Sequence, residues 1–212
     1  MNLRALRDRA IVLAGFVAGA RRRNLSELDL DDVEIVAKGM LMTLWREKNR
    51  PYGARRVDVR RESGPCDPVA AMEAWLDAYS LALRRSLRPD DPLFPRIDRH
   101  GKIVFAGEQR AAKSGSNHGY GPALHSGEVP WRLSRQAINE IVKRLAGDAG
   151  IVGATSHGLR RGLANTLHQK GASREKIAKA GGWKRLDSVN AYIDDIAFAA
   201  GTEMGLGGFR VD

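Results

Sequence analysis

Apolar residues return at steps of three and four in five separate stretches of this chain, and that spacing constrains the fold more than any other feature. Leu3, Leu6, Ala10, Ile11, Ala14 and Val17 make one stripe, and Val69, Met72, Trp75, Leu76 and Tyr79 a second. Ile138, Ile141, Val142 and Leu145 make a third, Leu159, Leu163 and Leu167 a fourth, and Val189, Tyr192, Ile193 and Ile196 a fifth. Each stripe is one face of an α-helix, and that face has to be covered by something else. The start signals agree. Asp67-Pro68 supplies a capping carboxylate followed by proline at the first helical position. Ser134 and Ser156 stand ahead of the third and fourth stripes and Ser173 ahead of a further short helix containing Ile177, and Gly171 and Gly181-Gly182 close the last two of these three.

Val33 to Arg61 reads differently. Met40 to Trp45 is one extended run, Pro51-Tyr52-Gly53 is a turn, and Val57-Asp58-Val59 alternates in a returning strand. Residues 21–33, before it, read as a short basic helix and a connection, while Phe105 to Val129 is Gly-, Ser- and Ala-rich without a period and reads as a long loop. The expected class is α+β, helix-dominated, with one small antiparallel sheet. The N-terminus imitates a secretory leader, basic through Arg7, then apolar or small from Ala10 to Ala20. Asp8, two glycines in the apolar run and Arg21-Arg22-Arg23 directly after it favour a core helix instead.

Composition narrows the chemistry. The 212 residues carry 35 Lys+Arg against 25 Asp+Glu, a formal net charge of +10 that favours a polyanionic partner through counterion release. No apolar stretch approaches the roughly 20 residues of a membrane span, so no membrane association is expected. Cys66 stands alone and no Cys/His cluster has zinc-ligand spacing, which fits a reducing, cytoplasmic setting. There is no Walker loop, dinucleotide fingerprint, paired-His metalloprotease helix or serine elbow.

The C-terminal third holds the candidates. His157 and Arg160 lie three apart at the start of a helix, and Gly181-Gly182-Trp183 is followed nine residues later by Tyr192. Singly, each has an ordinary role: a helix cap, a surface cation, core aromatics. Together they resemble the catalytic domain of the tyrosine recombinases, the phage integrase family, which carries His-x-x-Arg, a Gly-(His/Trp) pair and a tyrosine nine residues after it. Trp183 makes the pattern similar to the Cre branch. Upstream, Gly19-Ala20-Arg21 precedes Asp32-Val33 at the family's spacing of eleven, which selects Arg21 from its run of three. Asn24 replaces the family's common acidic residue, from which looser positioning of Arg21 is expected. Glu47-Lys48-Asn49 sits where the family places a hairpin lysine, and Asp91 to Pro95 and Arg99 to Ile103 look like its mid-domain segment, so the resemblance runs from Leu3 to Ile193.

The resemblance implies a site of Arg21, Lys48, His157, Arg160, Trp183 and Tyr192, acting on double-stranded DNA without metal or nucleotide cofactor. Tyr192 would be the nucleophile of a 3′-phosphotyrosyl intermediate, Lys48 the general acid, Arg21 and Arg160 the phosphate clamp, and His157 and Trp183 further partners of the phosphate. Arg22, Arg23, Arg55, Arg56 and Arg161 would line the DNA backbone. It implies a homo-oligomer, a tetramer on synapsed sites. Residues 1–196 would be the catalytic domain, with the family's N-terminal clamp domain absent because the first helix occupies everything before Arg21. Residues 197–212 would be a tail in which Ala197-Phe198-Ala199-Ala200 either docks onto a neighbour or is a frayed end. Two competing expectations are a DNA-binding relic without efficient strand exchange and a type IB topoisomerase-like nicking–closing enzyme.

Overall fold

Helix α1 (Leu3–Val17) is the element on which the others pack: Ala10, Ile11 and Ala14 are buried against its neighbours, and Asn2 caps its start by accepting from the Ala5 N–H. The computed structural model describes residues 2–45, 53–105 and 129–193, and within them the expected helix-dominated α+β architecture is present. The leader-like N-terminus is therefore a core helix. Lys48 with the hairpin turn, residues 106–128 of the expected loop, and Ile196 with the tail 197–212 lie outside the described residues.

A short helix α2 (Arg22–Glu27) and a single 3-10 turn (Leu30–Asp32) lead into a three-stranded antiparallel meander, β1 (Val33–Val36), β2 (Gly39–Leu44) and β3 (Arg55–Arg60). Met42 on the central strand pairs with Val33 on one side and Val57 on the other. Period-two alternation turns Met40, Met42, Leu44, Val57 and Val59 into the core. Helix α3 (Pro68–Leu83) begins as expected. The Asp67 carboxylate accepts from the Val69 N–H at 2.9 Å, an N-cap worth about 1 kcal/mol. Its Trp75 and Tyr79 rings stack at 5.0 Å, and the Trp75 indole donates to the Leu93 carbonyl at 2.9 Å.

Helices α4 (Arg135–Asp148), α5 (Ser156–Gln169), α6 (Arg174–Gly181) and α7 (residues 187–193) form the C-terminal part. Ser134 and Ser173 cap α4 and α6 as expected. At α5 the cap position belongs to Thr155, and Ser156 is already helical. Its N–H and hydroxyl instead donate to Asn139 Oδ1 at 3.0 and 2.9 Å, which ties the start of α5 to α4.

Two hydrophobic clusters result. The large one runs from α1 through the sheet to α3 and α4. The small one contains Ala164, Ile177, Ala178, Val189 and Ile193 beneath α5, α6 and α7. A buried charge group stiffens the first: Asp8 accepts from Arg7 at 2.7 Å and from Arg144 at 2.6 Å, while Arg7 also donates to the Pro95 carbonyl at 2.9 Å. Burial pushes the Arg7 pKa down and Asp8 opposes it, so removing Asp8 would leave an uncompensated buried cation.

Candidate active site

The turn leaving α1 is where the two clusters meet. The last turn of α1 contains no basic residue; its Ala14, Gly15 and Phe16 carbonyls accept from the Ala18, Ala20 and Gly19 N–H groups, which leaves the Ala18 and Gly19 carbonyls at the negative end of the helix to donors from elsewhere. Two arginines supply them. Arg160 on α5 donates from Nη1 to the Gly19 carbonyl, and Arg55 on β3 donates from Nη2 to the Ala18 carbonyl at 2.7 Å. Arg55 also donates from Nη1 to the Ala180 carbonyl at the end of α6, at 2.8 Å. Gly19, at φ +52°, makes the approach possible; a Cβ there would lie 2.8 Å from a Leu163 methyl and 3.4 Å from Gly181 Cα. At Gly181 a Cβ would fall 1.8 Å from the Trp183 ring, so the indole can fold over α6 only because that position has no side chain.

Arg21 follows this turn and occupies the N-cap position of α2. Asn24, where the family commonly has an acidic residue, bonds the Arg21 backbone. Its buried amide works in both directions. Oδ1 accepts the Arg21 N–H at 3.2 Å, and Nδ2 donates to the Trp45 carbonyl at 2.8 Å. The Trp45 indole donates to Asp32, so the end of β2, three residues short of Lys48, is fastened twice.

Around Tyr192 the side chains form one continuous group. Tyr192 Oη lies 2.9 Å from His157 Nε2, with the rings edge-on at 5.8 Å between centroids. Trp183 lies 5.7 Å from the Tyr192 ring on another side, and the Arg160 guanidinium sits 4.1 Å from the Trp183 ring centroid. Arg161 lies 5.7 Å from the Tyr192 ring. Burial, then the positive charges of Arg160, Arg161 and Arg21, hold the His157 pKa below its usual value. A neutral imidazole beside a phenol can accept its proton, whereas an imidazolium cannot.

His157, Arg160, Trp183 and Tyr192 thus converge although they come from α5, the α6–α7 turn and α7; Arg21, at the N-cap of α2, is near enough for its charge to act on His157, while Lys48 lies outside the described residues. Arg160 is only 1% exposed, covered by the Trp183 indole. Among the expected DNA-backbone residues, Arg22, Arg56 and Arg161 are exposed, and Arg23 is half-buried and paired with Glu27 at 3.0 Å. Arg55 departs from that expectation: it is buried, on the Val57 and Val59 face of β3, and bonded to two protein carbonyls. The signal was available in the sequence, because alternation from Val57 and Val59 turns Arg55 inward and Arg56 outward.

Among the described residues no group of His, Cys, Asp and Glu could hold a metal ion, and no helix is long and apolar enough to cross a membrane.

The model of the phage integrase family matches residues 2–197, and the chain belongs to that family, the tyrosine recombinases. Its fold is similar to the crystal structure of XerA recombinase, at 20% identity and a TM-score of 0.59 over 88% of this chain and 51% of that one. It is also similar to XerH site-specific recombinase bound to a palindromic difH substrate in a post-cleavage complex, at 15% identity and a TM-score of 0.60 over 91% of this chain and 43% of that one. The chain therefore spans about half the length of these solved relatives or less. No curated protein matches it.

Proposed function

We propose that this chain is the catalytic part of a site-specific recombinase that breaks and rejoins double-stranded DNA through a 3′-phosphotyrosyl link at Tyr192. The observation that carries this is the Tyr192 phenol 2.9 Å from the His157 imidazole, beside the Trp183 indole and within the field of Arg21, Arg160 and Arg161. Tyr192 Oη attacks the scissile phosphorus. The O–P bond forms as the bond to the 5′-oxygen breaks, so the energy of the diester is kept for resealing. The phenol proton passes to His157, and the departing 5′-oxygen takes a proton from Lys48.

Charge accumulates on the non-bridging oxygens, where Arg21 and Arg160 bind. By analogy with a single oxyanion-hole donor, loss of either costs about 3–4 kcal/mol of barrier. In the free chain Arg160 lies under Trp183, so phosphate capture moves the indole aside. The exchange is favourable: a desolvated cation–π contact of about 2 kcal/mol gives way to two charge-assisted hydrogen bonds of roughly 1.5–3 kcal/mol each. The indole N–H then becomes a third donor to the phosphate. Arg22, Arg56 and Arg161 sit on the DNA backbone. The protein acts in the cytoplasm on DNA as a homo-oligomer, a tetramer when two sites are synapsed. Residues 1–196 form the catalytic domain, and Ala197 to Ala200 in the tail bridge to a neighbour.

The test uses randomised suicide duplexes, nicked so that cleavage releases a short 5′-hydroxyl fragment and traps the protein. Covalent adducts from the wild-type chain, lost in Tyr192→Phe, are the expected result. DNA binding without adducts would make the chain a relic of the family. Relaxation of supercoils at no preferred sequence would make it a nicking–closing enzyme.

A further inference from the structure

Resting on the recombinase reading, we infer that Arg55 is a positioning residue that holds the two halves of the site in register. One half, Arg21 with strands β2 and β3, grows out of the large cluster; the other, Trp183 and Tyr192, is packed with the small one. Arg55 touches the backbone of both. Its guanidinium bonds the Ala18 carbonyl, three residues before Arg21, and the Ala180 carbonyl, three residues before Trp183. It is itself the first residue of β3, the returning strand of the hairpin, paired with Leu44 at the end of β2. A planar fork with two parallel donors fixes both the distance and the orientation of two carbonyls, which a flexible ammonium does not. A buried arginine also cannot leave one carbonyl to solvent without losing that bond, so the segments move together or not at all.

Arg160 makes the neighbouring bond to Gly19, but a phosphate-binding Arg160 must be free to reorganise. Arg55 is buried and bonds the Ala18 and Ala180 carbonyls from one guanidinium, so it holds the frame while Arg160 and Trp183 change partners.

The experiment compares Arg55→Lys with the wild type and with Arg7→Lys, a change at an equally buried arginine of the large cluster. Cleavage of the suicide duplexes is measured at saturating DNA, well below the lowest melting temperature of the set. Arg55→Lys should cleave roughly 100-fold more slowly, as expected for reacting groups displaced by about 1 Å. Its DNA affinity should stay within about threefold, since no phosphate contact is removed. Arg7→Lys should lose activity only in proportion to its unfolded fraction. Amide hydrogen exchange on the free proteins gives an answer that needs no cleavage: Arg55→Lys should speed exchange in residues 18–24 and 180–193 and leave α3 protected.

Wild-type cleavage rates, an unchanged exchange pattern, or an affinity loss matching a lost phosphate contact would each overturn the inference. Arg55→Gln is the second variant. If neither variant folds, Arg55 is scaffold like Arg7 and the inference is also overturned. Absence of adducts from the wild type would refute the recombinase reading alone, leaving the exchange pattern to decide the role of Arg55.

Discussion

Large side chains fill the cluster beneath α1: Trp75, Tyr79, Phe94 and three methionines are fully buried there, and the sheet closes one side. The cluster beneath α7 is built from two alanines, two isoleucines and a valine, and the aromatic residues at its margin, Trp183 and Tyr192, are only partly buried. Buried apolar area scales with stabilisation at roughly 25 cal/mol per Å², so the second cluster is held far less strongly than the first. The nucleophile candidate therefore rides on the weaker unit, while Arg21 is anchored to the stronger one. A site divided in this way needs ties between the two units to keep its halves in register. Buried arginines reaching across the seam are what a divided site requires.

The comparison breaks most visibly in two core truncations. Trp75→Ala should cost about 3–5 kcal/mol and lower the melting temperature of the whole domain. Ile177→Ala, in the small cluster, should cost about 2–5 kcal/mol but show first as faster amide exchange across residues 174–193, with α1 and α3 still protected. Equal loosening of both regions by Ile177→Ala would mean that the clusters are one cooperative unit.

A smaller effect is expected at the joint between Arg21 and the hairpin. Asn24→Asp restores the acidic residue common in the family, yet it removes the donor to the Trp45 carbonyl and sets a carboxylate oxygen against it. Chemical denaturation should show a loss of about 1–3 kcal/mol. Unchanged stability would show that Trp45 needs no anchor from Asn24.

The smallest effect concerns protons. His157 has a folded pKa below 6.5, so between that lower value and 6.5 the unfolded chain holds more protons than the folded one, and stability rises with pH across this window. Titration of the imidazole by NMR should give a midpoint below 6.5, and Arg161→Ala should raise it by removing one nearby cation. A midpoint above 6.5 in the free protein would contradict the lowering by burial and by the arginines together.

Much of this was legible beforehand, for identifiable reasons. Helix stripes and caps are local, so α1, α3, α4 and α6 could be placed from spacing, Asp67, Ser134 and Ser173. The site residues lie far apart in sequence, and the pattern from His157 to Tyr192 located them through resemblance rather than contact. Partnership was not legible. Ser156 looked like a cap because nothing local announces that its hydroxyl is taken by Asn139. Asn24 looked like a weakened carboxylate because its second bond, to Trp45, crosses from α2 to β2. Charge alone groups Arg55 with surface arginines, although its place in the strand alternation turns it inward.

The most direct measurement is peptide mapping by mass spectrometry of the protein recovered from suicide-substrate adducts. A nucleotide attached through its 3′-phosphate to Tyr192 is the predicted result. Attachment to any other residue, or cleaved DNA carrying no protein, would contradict it.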